Sequence, residues 1–211
     1  MDLIALFITA FLVGLSGAMM PGPLLTVTIA ESARRGFKAG PLIVLGHAIL
    51  ELALIIALLA GLSFYLKKPL VTTVISIVGG AFLLFMGLNM IKDVLQGRIT
   101  LEGSENNAAK GVNMHPVMAG ILVSVSNPFW IVWWATIGLT YLTMALKSGA
   151  IGITSFFSGH IMADLLWYSL IAAAVAGGRR FIKPRVYQAI IILCGLFLIG
   201  LGGYFIYTGI N

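Results

Sequence analysis

Residues 46–51 read GHAILE and residues 159–164 read GHIMAD. Superimposed, His47 falls on His160 and Glu51 on Asp164, each acid four residues after its histidine and each set in apolar sequence. The match extends outward, for Gly80, Phe82 and Gly87 line up with Gly195, Phe197 and Gly202. Each copy is also preceded by an apolar run that proline interrupts, at Pro21-Gly22-Pro23 and at Asn127-Pro128. A unit of three apolar segments therefore recurs along the chain. Chance sharing of Gly and Leu explains the third segments as readily as a repeat does, but not two His–acid pairs at equal spacing.

Composition says where such a unit resides. Of 211 residues, 60% are hydrophobic and 9% charged, against roughly a quarter charged in an ordinary globular domain, which places the chain in a bilayer and excludes a soluble enzyme. Six stretches are long and apolar enough to cross one: Leu3 to Thr28, Gly40 to Leu66, Leu70 to Ile91, Pro116 to Leu146, Ala150 to Ala176 and Val186 to Thr208. The N-terminal Met-Asp-Leu-Ile reads as the start of the first span and not as a removed signal peptide. The longest polar stretch, Lys92 to His115, divides the spans three and three. The expected organisation is one transmembrane domain, with repeat one at 1–95, a linker at 96–115 and repeat two at 116–211. Three spans per repeat is an odd number, so the second copy enters the membrane from the opposite side. The fold expected is an all-α, polytopic, inverted 3+3 repeat with proline-broken first helices, a recurring design of secondary transporters.

Basic residues resist translocation and so set orientation. Ten of the thirteen Lys and Arg fall on one side (Arg34, Arg35, Lys38, Lys92, Arg98, Lys110, Arg179, Arg180, Lys183, Arg185) and three on the other (Lys67, Lys68, Lys147). Both termini are therefore expected outside an inner or plasma membrane. The net charge of +6 reads as loops facing anionic lipid, not as a nucleic-acid footprint.

Five acids (Asp2, Glu31, Asp93, Glu102, Glu105) sit at span ends or in loops, which leaves Glu51 and Asp164 inside spans with no Lys or Arg in a core segment to neutralise them. A carboxylate at that depth costs about 2.5–3.5 kcal/mol on insertion scales and marks a functional site by default. Each is either protonated as helix-to-helix glue, hydrogen-bonded, or matched by a cation the chain does not supply: a proton, Na⁺ or a substrate ammonium. His47 and His160, one helical turn before the acids, share their face and read as a proton relay, as orienting groups, or as histidines bonded to a backbone carbonyl. His47, Glu51, His160 and Asp164 meeting at a pseudo-twofold centre would also form a transition-metal site. The prolines break or kink their helices; Asn127 before Pro128 reads as N-cap and first helical residue, and exposed half-helix N-termini suit an anion such as a carboxylate. Acid and helix terminus together suit a zwitterionic amino acid. Trp130, Trp133 and Trp134 either line a cavity or anchor at the interface. Glycines 79, 80, 87, 195, 200, 202 and 203 allow close helix packing. Cys194 is a single packed thiol, which excludes an internal disulfide, and His115 carries no signal.

PGPLL at 21–25, ESARRGFKAG at 31–40, the glycine five residues before Glu51, SNPFWIVWWATIG at 126–138 and ADLLWYSL at 163–170 together resemble the LysE/RhtB superfamily of amino-acid exporters over nearly the whole chain. The resemblance implies six helices, a two-repeat core, and export of amino acids or related solutes driven by the proton motive force. It carries over Pro21, Gly22, Pro23, Glu51, Asn127, Pro128 and Asp164 as motif positions. Members often have Asp at the place of Glu51, and Lys after Asn-Pro where this chain has Phe129. The superfamily also contains cation and metal exporters, so a divalent-cation exporter is the alternative function. The partners expected are a small solute, foremost an amino acid, a coupling proton, the bilayer and, in an assembly, further copies of the chain; neither cofactor nor nucleic acid is expected.

Overall fold

Proline sets where these helices begin. Its missing N–H is unneeded in the first turn and its fixed φ suits the first helical position, and five of the seven prolines open a helix. The computed structural model describes residues 2–20, 22–62, 69–97, 114–178 and 184–210, which are all-α. In chain order they form α1 (Leu3–Ala18), α2 (Pro23–Arg35), α3 (Ala39–Ala57, continued by a π-helical turn Leu58–Leu62), α4 (Pro69–Leu95), α5 (Pro116–Val125), α6 (Pro128–Trp133), a π-helical turn Trp134–Gly138, α7 (Leu139–Leu146), α8 (Gly149–Gly178) and α9 (Pro184–Ile210).

Among the described residues five helical stretches are long and apolar enough to span a bilayer, and the bent pair α1 and α2, which meet at 75°, makes a sixth when taken as one broken span. The protein is a polytopic membrane protein. Its first span differs from the expected Leu3 to Thr28, because α2 runs on to Arg35 and ends at Gly36, whose φ of 82° stops it. The polar last turn is held by Glu31, which pairs with Arg34 at 3.0 Å and Arg35 at 2.6 Å. Asp93, read from sequence as a span-end acid, lies in the last turn of α4 and is buried. Most of the linker, residues 98–113, and Pro21 lie outside the described residues.

Apolar side chains face outward as well as inward. On α1, Ile4, Ile8 and Leu12 are exposed at helical spacing while Leu6, Ala10, Gly14 and Ala18 are buried. In water that outer stripe would be a liability; against hydrocarbon it is the required solvent surface.

The closest pairings are α4 with α9, α1 with α8, and α3 with α5. Each first helix packs on the second helix of the other half, and the two third helices pack together. The contacts are reciprocal. A methyl group at Gly80 would meet the carbonyl of Gly202 at 2.6 Å, and one at Gly202 would meet that of Gly80 at 2.6 Å. Gly87 and Gly195 repeat the exchange, so aligned residues swap places as a twofold between the halves demands. Gly200 and Gly203, expected among the packing glycines, instead have open space where a side chain would stand.

Gly80→Val should therefore force α4 and α9 apart at an overpacking cost of about 1–3 kcal/mol, lowering the detergent-solubilised melting temperature, whereas Gly200→Val should leave it unchanged. Equal shifts in the two variants would contradict the packing.

Candidate functional site

α3 carries His47 and Glu51 on successive turns, and α8 carries His160 and Asp164 in the same relation; all four are buried. Because α3 and α8 pack together, the two pairs meet. His47 Nε2 lies 3.2 Å from Glu51 Oε1 and 3.6 Å from Asp164 Oδ2. His160 Nε2 lies 3.2 Å from Glu51 Oε2 and 3.8 Å from Asp164 Oδ2. One potential ligand atom from each residue falls within 4.8 Å of every other. With both acids ionised and both imidazoles neutral, this spot carries two negative charges, and no Lys or Arg among the described residues lines the cavity beside it.

Glu51 is held by indoles. Trp130 and Trp134 both donate their ring N–H to Glu51 Oε1, at 3.0 and 2.9 Å. Their four-residue spacing puts them on one face of the segment that follows the second break, and the π-helical turn, a feature that recurs at functional sites, starts at Trp134. Trp133, between them, stacks on His160 with ring centroids 4.7 Å apart. Of the two places expected for these tryptophans, cavity or interface, the structure selects the interior, with Trp130 and Trp134 buried.

The two histidines are supported differently. His47 Nδ1 bonds Ser124 Oγ on α5 at 2.7 Å. His160 Nδ1 is buried and finds no hydrogen-bond partner among the described residues; it faces Gly14 on α1, where a methyl group would stand 2.8 Å from it. One imidazole is thus anchored by a serine, whereas the other rests against a glycine.

A cavity of about 400 Å³ opens beside the four side chains. Gly22, Pro23 and Asn127 line it together with the quartet, so both helix breaks and both acids meet one space. The breaks are not equivalent. Asn127 Oδ1 accepts the Phe129 N–H at 3.1 Å, which makes Asn127 the expected N-cap but occupies that helix terminus with its own side chain. Gly22, N-cap of α2, has no side chain with which to do so. Of the two termini expected to receive an anion, only that of α2 is left uncapped by a side chain. Pro128 is buried at the start of α6, and Pro21 lies outside the described residues. His115 caps α5 by accepting the Val117 N–H.

Residues 15–209 match the family model of the LysE type translocator. The chain belongs to the LysE-type translocator family. Among curated relatives, the translocator is 26% identical over 205 residues to "Chemotactic transduction protein ChpE" of Pseudomonas aeruginosa, covering 95% of this chain and 97% of that one. It is 24% identical over 207 residues to "Putative amino acid efflux protein YcgF" of Bacillus subtilis, covering 98% and 97%. No solved structure matches it significantly.

The side chains that sequence reading left without a defined partner are Trp130, Trp134, Ser124 and Gly14. The one sequence signal that could have found any of them is the four-residue spacing of Trp130 and Trp134. Because a hydrogen bond to a charged group is worth about 1.5–3 kcal/mol, Trp130→Phe and Trp134→Phe in the translocator should each lose about that much in equilibrium unfolding. Trp133→Phe, which removes no bond to Glu51, should lose less.

Proposed function

We propose that this translocator is a secondary-active exporter of amino acids or related small solutes, coupled to protons and placed in the inner or plasma membrane with both termini outside. The observation that carries the reading is one cavity lined by a doubly acidic cluster and by an uncapped helix start. Its size lies within the range of about 300–1,000 Å³ usual for small-molecule sites. The substrate ammonium sits at Glu51 and Asp164, and its carboxylate sits at the N-terminus of α2, where Gly22 lets the chain approach closely and the helix dipole is positive. His47 and His160 take up and release the protons that the acids exchange with the ammonium. Residues 1–95 and 116–211 act as inverted repeats that expose the cavity to one side and then the other.

The similarity to the Bacillus subtilis protein, named for amino acid efflux, supports the direction and cargo of this reading. The loss of a lysine after Asn127-Pro128, where Phe129 stands, is consistent with an anion held at α2 and not at α6.

Reconstituted in proteoliposomes, the wild-type protein should move amino acids in exchange for protons, and dissipating the proton gradient should stop net export. Glu51→Gln should abolish transport while the protein remains folded and inserted. Transport by Glu51→Gln at the wild-type rate would contradict the proposal.

A further inference from the structure

Two distances in the quartet do not suit hydrogen bonding well. Charge-assisted N–H···O bonds close to about 2.7–2.9 Å, yet the imidazole Nε2 atoms stand 3.6 and 3.8 Å from Asp164 Oδ2 and 3.2 Å from the nearer Glu51 oxygens. The separations to Glu51, from His47 to Oε1 and from His160 to Oε2, and those to Asp164 Oδ2 lie near the edge of a tetrahedron, about 3.3–3.4 Å, whose centre lies about 2.0–2.1 Å from nitrogen and oxygen ligands. One ligand atom from each of the four residues lies within 4.8 Å of every other. Two acid oxygens aimed into this space, Glu51 Oε2 and Asp164 Oδ2, are buried and accept no hydrogen bond from the described residues.

The surroundings of the cluster match an ion site in a second way. Metal-binding side chains are oriented by hydrogen bonds on their far side. His47 Nδ1 is bound by Ser124, and Glu51 Oε1 by the indoles of Trp130 and Trp134, while Trp133 fixes the plane of the His160 ring by stacking. Two imidazoles with two carboxylates select a divalent transition ion over Mg²⁺ or Ca²⁺, which take oxygen ligands.

We propose that His47, Glu51, His160 and Asp164 form a four-coordinate site for a divalent transition-metal ion of the Zn²⁺ class. The ion's two charges balance those of the two acids. It occupies the seat assigned above to the ammonium and protons, so ion and solute exclude one another. The site itself stands whichever solute the protein exports.

The test is titration of purified, chelator-stripped protein with Co²⁺, whose visible absorption separates four-coordinate from six-coordinate sites. One Co²⁺ per chain with an intense four-coordinate spectrum is expected, displaced by Zn²⁺ and not by Mg²⁺. His47→Ala and His160→Ala should weaken binding at least 100-fold, Ser124→Ala should weaken it roughly 10–100-fold, and His115→Ala should leave it unchanged. His160→Gln replaces His160→Ala if the latter does not elute as a folded species. Absence of stoichiometric binding, a six-coordinate spectrum, or binding that survives loss of His47 or His160 would overturn the site. Amino-acid export by the metal-free protein is measured alongside: export without Co²⁺ binding sinks this inference alone, and Co²⁺ binding without export sinks the exporter reading alone.

Discussion

Two carboxylates buried among lipid-facing helices create a solvation deficit that neighbouring groups must offset. No Lys or Arg among the described residues lining the cavity does so. What meets Glu51 and Asp164 instead is a set of neutral or conditionally charged donors: two indoles on Glu51 and two imidazoles between the acids. Such a cluster is stable only while its partners are in place, and it changes charge when a proton, an ammonium or a metal ion joins it. The exchange of helices between halves serves this arrangement. α3 and α8 bring their acids together while α1 packs on α8, α5 packs on α3, and glycines let α4 and α9 close on each other.

The two halves resemble one another in order but not in chemistry. One imidazole is tied to Ser124 and the other rests on Gly14; one broken helix is capped by Asn127 and the other begins at a bare Gly22; one acid is glutamate and the other aspartate. The Trp130 and Trp134 indoles both serve Glu51, so the first half's acid is the more firmly bound of the two. Gly22, Glu51, Asn127 and Asp164 all line one cavity, so these differences make its two sides chemically unlike.

Much of this was legible in the sequence for a definite reason. An acid inside an apolar span is conspicuous, and four-residue spacing fixes which face it shares with its histidine, so the quartet could be read from GHAILE and GHIMAD alone. Proline likewise announced the helix starts at Pro23 and Pro128. The supporting groups were not legible, because a serine, a glycine or a tryptophan in a membrane helix has several ordinary uses and only the packing of α5 on α3 and of α1 on α8 decides among them. Gly200 and Gly203 illustrate the same point: they belong to the same glycine-rich stretch as Gly195 and Gly202 but face outward from the contact. The extent of α2 to Arg35 was hidden because its last turn is polar, and polarity alone does not distinguish a loop from a helix end stabilised by ion pairs.

The central claim, that side chains from the two halves form one interacting cluster, is tested most directly by a double-mutant cycle on Glu51 and His160. Equilibrium unfolding of wild type, Glu51→Gln, His160→Gln and the double variant should give a coupling energy of about 1 kcal/mol or more, as expected for residues sharing one network. Effects that add to within about 0.5 kcal/mol, the behaviour of distant independent sites, would contradict it.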